Sequence, residues 1–304
     1  MPNLNADVAL LTERRYAIPE APEGDWYVKQ ILDDDRLLQE ALQEQGITST
    51  RIDWAHPKVD WSTFSCAVFR TTWDYFERFE AFTSWLEEAT SQVRLCNTPE
   101  LVWWNLDKHY LADLQERGIP VVASQFIEQG AQLHLEERMT ESGWDEAVIK
   151  PCVSAGGRDT YRVHKDQAGD VEETVQPLLE NASFILQPFL NDIVDTGEVS
   201  LMVFDGDYTH AIRKSAKAGD FRVQDNHGGT VHPYEPSNEQ IDLALRAMDA
   251  CDPVPRYGRV DIARTNEGQW AVMELELIEP ELWLRDHPSA ADAFARVIVD
   301  LLDA

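Results

Sequence analysis

Residues 256–280, RYGRVDIARTNEGQWAVMELELIEP, decide the fold predicted for this chain. Two runs of alternating polar and apolar residues flank the turn-forming residues 266–269, a pattern typical of a β-hairpin. A two-residue loop at Glu267 and Gly268 would set the register of the two strands. That register pairs Arg259 with Glu276, Val260 with Leu275, Asp261 with Glu274 and Ile262 with Met273.

The predicted hairpin gathers carboxylates on one of its faces. Because side chains alternate along a strand, Asp261, Glu274 and Glu276 share a face. Met273, Leu275 and Leu277 would cover the other face. Like charges placed opposite each other repel, so a hard divalent cation, Mg²⁺ or Mn²⁺, is the expected partner. The alternative is a solvated strand face in an acidic protein.

Composition narrows the class of protein. The 304 residues suffice for two or three domains. The 26 Lys and Arg against 55 Asp and Glu give a net charge of -29, which argues against nucleic acid and anionic membranes as partners. The four cysteines are far apart, and no apolar run is long enough to suggest a signal peptide or a membrane helix. A cytoplasmic location is expected.

The sequence before the hairpin predicts an α/β layer followed by α+β modules. Strands near residues 8–12 and 66–69 alternate with helices starting near residues 25 and 79. One helix is predicted from Thr98, its N-cap, to Gly118, with Lys108 inside it. Short strands prevail from residue 120 onward.

Two further segments have the residues of an anion site. A turn at Asp205 and Gly206 predicts a hairpin over 198–215 that pairs Glu198 with Arg213, either as part of a site or as a plain salt bridge. Lys150 ends an apolar strand and is followed by a glycine-containing loop, 153–158, whose backbone amides could approach phosphates. The alternative for that loop is an ordinary turn.

Taken in order, these segments resemble the ATP-grasp superfamily of ATP-dependent ligases over about residues 98–280. The similarity is strongest to the glutathione synthetase and ribosomal-protein glutamate ligase branch, and within it to D-cycloserine ligase-like proteins. It is carried by WNLDK (104–108), GDFR (219–222), VDI (260–262) and ELELIEP (274–280). The resemblance implies an N-terminal α/β domain, 1–107, a central ATP-grasp subdomain, 108–190, and a C-terminal subdomain with the metal site, 191–304.

The resemblance also implies roles for single residues. The nucleotide would contact Lys108, Lys150, Ser154, Gly156, Gly157, the adenine hinge Gln187, Pro188, Phe189 and Leu190, the ribose ligand Glu198, and Arg222. Asp192 and Asp195 are alternatives to Glu198. The charge of the transferring phosphate would be neutralised by Arg213, Lys214 and Arg222, and the metal held by Asp261, Glu274 and Glu276. Many relatives carry Asn in place of Glu276, so a tighter metal site is expected here.

The implied activity is formation of a C–N bond between a carboxylate and an amine through an acyl-phosphate, with ATP and Mg²⁺. The substrate would be small and amino-acid-like, and the product cyclic, a dipeptide or a capped amino acid. Arg70, Asp74 and Arg259 are the candidate substrate ligands, although a surface Arg70 paired with Asp74 or Glu77 is an alternative. A phosphotransferase and a nucleotide-binding regulator are the competing functions, and a homodimer is left open.

Overall fold

The structure, a computed structural model, describes residues 6–154, 156–217 and 228–304. Three sheets organise these ranges. The first sheet has the order β2-β1-β3-β4, and its paired strands all run parallel. Its strands are β1 (Val8–Thr12), β2 (Ser49–Asp53), β3 (Cys66–Thr71) and β4 (Arg94–Cys96), connected in part by helices α1 (Trp26–Glu44) and α2 (Phe79–Thr90).

The strand order creates a crevice at one edge of this sheet. The chain passes from β1 to β2 on one side, whereas β3 and β4 lie on the other side of β1. Connections that leave neighbouring parallel strands in opposite directions open a gap beyond the carboxyl ends of those strands. The segments that follow β1 and β3 therefore flank a natural ligand position.

The predicted helix over 98–118 is wrong as a single element. The structure has two helices, α3 (Pro99–Asn105) and α4 (Tyr110–Glu116). The hydroxyl of Thr98 caps α3, as predicted, and Lys108 lies in the break, where its backbone N–H donates to the carbonyl of Cys152 at 3.1 Å. A bond to another segment replaces helical bonding, so tertiary contacts decide where α3 ends.

The second sheet is small and antiparallel, in the order β5-β8-β6-β7. Its elements are β5 (Gln125–Ile127), α5 (Leu135–Ser142), β6 (Glu146–Pro151), β7 (Tyr161–His164), α6 (Ala168–Val175) and β8 (Phe184–Pro188). Apolar residues of α5 and α6, such as Met139 and Val175, pack with Ile149 of β6 in a separate core. This unit has its own hydrophobic core beside the other two sheets.

The third sheet is antiparallel and has the order β11-β10-β9-β12-β13. After the short helix α7 (Asn191–Asp195), its elements are β9 (Glu198–Phe204), β10 (Asp207–Ser215), β11 (Thr230–Tyr234), α8 (Asn238–Asp249), β12 (Tyr257–Arg264) and β13 (Trp270–Glu276). Helices α8 and α4 share a core with it. None of the helices in the described ranges is long and apolar enough to cross a bilayer.

The final helix, α9 (Ser289–Asp303), packs the ends of the chain together. Phe294 and Ile298 of α9 share one core with Leu38 of α1, Val68 of β3 and Met202 of β9. The first and third sheets are therefore joined through a continuous apolar layer rather than through a linker.

Each hairpin has the predicted register on one side of a bulge and a register shifted by one residue on the other side. Asp261 does lie opposite Glu274, and Arg259 opposite Glu276, but a bulge after Asp261 pairs Ile262 with Val272 instead of Met273. In the other hairpin a bulge between Tyr208 and His210 makes Lys214, not Arg213, the partner of Glu198. A bulge inserts one residue into one strand and so moves the rest of that strand to new partners.

Candidate active site

A cavity of about 1240 Å³ opens between the three sheets. It receives side chains from the carboxyl ends of β1 and β3, from β6 and the hinge after β8, and from one face of the third sheet. It is lined by the predicted residues Asp74, Lys108, Lys150, Ser154, Gly156, Gly157, Gln187, Pro188, Phe189, Leu190, Glu198, Lys214, Arg259, Asp261, Glu274 and Glu276.

Asp261 is the centre of a buried charge network in this cavity. The guanidinium of Arg259 donates to both carboxylate oxygens, from Nε to Oδ1 at 2.9 Å and from Nη2 to Oδ2 at 2.8 Å. Lys214 Nζ contacts Oδ2 at 3.1 Å and also pairs with Glu198. Burial alone would raise the pKa of Asp261, but Arg259 and Lys214 hold it well below its usual range.

Arg259 also bridges from Asp261 to Glu276. The sequence predicted a metal ion as the cation that neutralises this face, whereas the structure places the cationic side chains of Arg259, Lys214 and Lys108 there. Arg259 is shared between the two carboxylates, and burial raises the pKa of Glu276 to about 8 in spite of this contact. The tighter metal binding expected from Glu276 stays a prediction.

Lys108 is buried and spans the cavity to the carboxylate hairpin. Its Nζ lies 3.1 Å from Glu274 Oε1 and donates to the carbonyl of Ser154 at 3.1 Å. Burial lowers the pKa of Lys108, but Glu274 reverses the effect and the net shift is upward. The break between α3 and α4 thus ties the glycine loop to β13.

Lys150 differs from Lys108 in its partners. Within the described ranges, no carboxylate oxygen lies within 4.0 Å of its ammonium group. Burial lowers the pKa of Lys150; the negative charge of Glu274 opposes this effect, repulsion by Lys108 adds to it, and the net shift is downward. A desolvated ammonium group that no carboxylate of the described ranges contacts directly is a suitable contact for an anionic ligand such as phosphate.

The carboxylates of Glu274 and Glu276 suit a hard divalent ion in their chemistry, and their side chains retain 25% and 29% exposure. Asp261 is less available, because its side chain is 3% exposed and both oxygens accept from cations. Oxygen donors that face the same cavity as Lys150 fit Mg²⁺ bound together with phosphates. Glu274 and Glu276 are the residues of this set that could contact it.

The segment after β8 has the features expected of an adenine hinge. The N–H of Phe189 donates to the carbonyl of Glu146 at 3.0 Å, and Pro188 has no N–H. Leu190 therefore stays the predicted donor to a purine. Of the three acidic residues considered for the ribose, Glu198 lines the cavity, whereas Asp192 and Asp195 do not.

Three predicted residues are not placed in the cavity. Arg70 is 2% exposed, and its Nε lies 2.8 Å from Asp35 Oδ1 of α1, so it has neither of the partners considered for it. Arg213 lies beside Lys214 on the opposite face of β10, and its guanidinium is 5.8 Å from the ring of Tyr234. Arg222 lies outside the described residues.

The cavity also includes residues that sequence reasoning missed. Glu13, Arg14 and Arg15 follow β1, and Trp73 follows β3, at the crevice of the first sheet. The indole N–H of Trp73 donates to the carbonyl of Glu279 at 3.0 Å. These residues could have been identified as site residues from their position after β1 and β3. That inference requires knowing that β1 and β3 are neighbours in the sheet.

Comparison with known proteins shows which families the two parts of the chain match. Residues 8–97 match the model for the N-terminal domain of D-cycloserine synthetase DcsG, and residues 117–286 match the RimK-like ATP-grasp domain. The cycloserine biosynthesis protein DcsG of Streptomyces lavendulae is 34% identical over 283 residues, 87% of this chain and 92% of that protein. The chain belongs to the RimK-like ATP-grasp family. The predicted family and fold are thereby confirmed, and this ATP-grasp protein is an enzyme of the ligase class.

Two further matches bear on this ATP-grasp ligase. The crystal structure of D-cycloserine synthetase DcsG superimposes with a TM-score of 0.85 at 31% identity, covering 97% of this chain and 99% of that one. The tetrahydromethanopterin:alpha-L-glutamate ligase of Methanosarcina acetivorans is 28% identical over 169 residues, 51% of this chain and 49% of that enzyme. Similarity to the first extends over both domains, and similarity to the second over about half the chain.

Proposed function

We propose that this ligase joins a carboxylate to an amine through an acyl-phosphate, on a small amino-acid-like substrate, with release of ADP. One observation carries the proposal. A single cavity combines the ammonium group of Lys150, which no carboxylate of the described ranges contacts, with a carboxylate hairpin and the crevice beyond β1 and β3. Nucleotide and acceptor would thus lie side by side in one enclosed space, which is what direct phosphoryl transfer requires.

The nucleotide would occupy the side formed by β6, β8 and β13. Lys150 and Lys108 would contact its phosphates. Gly156 and Gly157 have φ angles of 63° and 73°, a left-handed region that suits glycine. Nothing crowds the position of a Cβ at Gly156, so the loop backbone has room to approach a phosphate group. Leu190 would meet the adenine and Glu198 the ribose.

Glu274 and Glu276 would hold Mg²⁺ on this side. The ion, when bound, would neutralise the part of the negative charge on the phosphates that the lysine side chains leave unbalanced. Lys214 and Arg259 point into the same part of the cavity and would stabilise the negative charge that develops on the transferring phosphate. The sequence predicted this role for both Lys214 and Arg213, but of these two residues only Lys214 lines the cavity. No side-chain nucleophile is needed.

The substrate would occupy the crevice beyond β1 and β3. Arg14 and Arg15 are exposed cations in the cavity, and Glu13 and Asp74 are carboxylates close by. Burial raises the pKa of Glu13 to about 6. Guanidinium groups beside carboxylates provide contacts for the carboxylate and the ammonium of an amino acid, respectively. This supports an amino-acid-like substrate.

The nature of the amide product follows from the names of the relatives. A cycloserine synthetase suggests ring closure within one substrate, and an α-glutamate ligase suggests addition of an amino acid. Similarity to the first covers far more of this chain, so we favour a small amino acid or ureido-amino acid that cyclises.

The decisive experiment supplies Mg²⁺, ATP and a panel of amino acids and ureido-amino acids, and measures ADP and phosphate release with product masses. A substrate carboxylate labelled with ¹⁸O should transfer one label to the released phosphate, because attack on the γ-phosphorus leaves that oxygen on phosphate. A stable phosphorylated product with no amide would replace the proposal with a phosphotransferase. Nucleotide binding without turnover on any substrate would favour a regulatory protein.

A further inference from the structure

A second group of metal-ligating side chains lies outside the nucleotide and substrate contacts proposed above. Asp107, His109 and Cys152 each place one ligand atom within 4.8 Å of the other two. In the described part of the chain this is the one such trio of His, Cys, Asp or Glu. Asp107 and His109 come from the break between α3 and α4, and Cys152 follows β6. The site is thus assembled by the fold and not by a local motif.

The histidine ring is held in a fixed orientation. His109 Nδ1 lies 2.5 Å from Asp107 Oδ1, and Nε2 lies 3.2 Å from Glu128 Oε1. The ring stacks on Phe126 with 4.2 Å between centroids, and Ser183 Oγ lies 3.3 Å from Glu128 Oε2. A restrained imidazole next to supporting carboxylates is the arrangement that metal-binding histidines adopt.

The donor set selects the metal. A thiolate and an imidazole favour a borderline-soft ion, whereas Mg²⁺ prefers oxygen ligands. We propose that Asp107, Cys152 and His109, through the Nδ1 atom that faces Asp107, bind Zn²⁺ at a site distinct from the proposed Mg²⁺ contacts of Glu274 and Glu276, with Glu128 as the partner of the other ring nitrogen, Nε2. The side chains of Asp107 and His109 are 42% and 37% exposed, which provides a path from solvent to the buried thiol.

Binding must displace protons. Burial raises the pKa of the Cys152 thiol far above its ordinary value, so the free site holds a neutral thiol. Burial alone would lower the pKa of His109, but Asp107 and Glu128 raise it overall. Zinc binds cysteine as a thiolate, so each Zn²⁺ that binds releases the proton of the Cys152 thiol.

The ion would brace the chain on both sides of Lys108. Lys108 lies between two of the ligands, and its N–H already donates to the carbonyl of the third, Cys152, at 3.1 Å. Zn²⁺ would connect the α3–α4 break to β6, and the contact of His109 Nε2 with Glu128 would extend this connection to the end of β5. It would thereby limit movement of the second sheet relative to Lys108.

Cobalt provides a direct test, because Co²⁺ bound to a thiolate absorbs in the near ultraviolet and Co²⁺ bound to oxygen ligands alone does not. The full chain is titrated with Co²⁺ in millimolar Mg²⁺, and the complex is then challenged with Zn²⁺. We expect a thiolate band that saturates at one ion per chain and is bleached by Zn²⁺. Glu274→Gln should leave the band unchanged, since that residue belongs to the other site.

The variants identify the ligands. Cys152→Ser should abolish the band, and the partly exposed His109→Gln should weaken Co²⁺ affinity by at least about tenfold, the loss caused even by removing an outer-shell partner. Cys251→Ser is the matched control, because Cys251 is also a buried free thiol and lies in the core with α8. Absence of a band in the unmodified chain, its survival in Cys152→Ser, or its equal loss in Cys251→Ser would overturn the proposal. If Cys152→Ser does not fold, an unchanged affinity in His109→Gln overturns it as well.

Discussion

Arg259 binds the carboxylate of Asp261, two residues away on the same face of β12, and donates hydrogen bonds of 2.9 and 2.8 Å to its two oxygens. A planar guanidinium matches a carboxylate in a way that an ammonium group cannot. Both side chains are buried, so the pair can be broken only by leaving a charge without its partner. The relationship keeps Asp261 ionised in a crowded acidic site.

Replacing Arg259 by Lys should therefore be costly. The charge is kept but the two-pronged contact is lost, and we expect a loss of about 1–3 kcal/mol in the free energy of unfolding together with at least a tenfold fall in ligase turnover. Urea unfolding and ADP release measure the two effects. Arg264→Lys, at an exposed position of the same strand, is the control. If the two variants have equal stability and equal turnover, Arg259 has no special role in the site.

Glu274→Gln should nearly abolish turnover and weaken Mg²⁺-dependent nucleotide binding, because the amide loses the charge that attracts the ion and pairs with Lys108. Isothermal titration with a non-hydrolysable ATP analogue, with and without Mg²⁺, separates the ion from the nucleotide. Glu267→Gln changes an exposed acid in the loop of the same hairpin and should behave as the unmodified protein. A fully active Glu274→Gln enzyme would refute the metal contact.

Lys150→Met should separate binding from folding. Because no carboxylate pairs with Lys150 in the described ranges, removing its buried charge should leave the stability of the free protein unchanged or higher. Saturation with an ATP analogue at about 100 times the dissociation constant adds about 2.7 kcal/mol to the unmodified protein, and most of that gain should be lost. Thermal unfolding measures both quantities. Lys58→Met is the control, at an exposed position outside the cavity, and an undiminished gain in Lys150→Met would contradict the assignment.

Arg70→Ala should affect folding and not substrate recognition. The variant leaves the buried carboxylate of Asp35 with Arg51 alone, which should cost about 3–5 kcal/mol. The substrate KM of the folded fraction should stay the same, whereas Arg14→Ala should raise it. Steady-state kinetics below the unfolding temperature distinguish the two residues. A raised KM with unchanged stability in Arg70→Ala would restore it as a substrate ligand.

His210 should make the protein less stable in mild acid. Burial lowers its pKa from 6.5 to about 4, and its Nε2 lies 2.8 Å from the carbonyl of Leu282. Between these pH values the unfolded chain binds a proton that the folded chain does not, so stability is lost as the pH falls from about 6.5 towards 4. Melting temperatures over this range should show a shallower fall in His210→Gln than in His232→Gln, an exposed control. Identical profiles would show that His210 is not the responsible group.

Local patterns account for much of what the sequence predicted correctly. The alternation in 256–280 was enough to place Asp261 opposite Glu274, and Thr98 followed by Pro99 was enough to place the start of α3. Both depend on neighbours along the chain or on one adjacent strand. The predictions failed where one extra residue shifts a strand, as at the bulge that gives Glu198 the partner Lys214.

The sequence by itself determined the α/β character of the N-terminal layer, the acidic hairpin and the family, because these depend on periodicity and on motifs that follow one another along the chain. Only the tertiary structure decided which cations neutralise the carboxylates, why Arg70 is buried beside Asp35, and that Glu13 and Arg14 share a cavity with Lys150. Apart from Arg259 and Asp261, which are neighbours on one strand face, those contacts join residues that lie tens of positions or more apart. Their distances are set by how three sheets and α9 pack, and a linear pattern does not encode that packing.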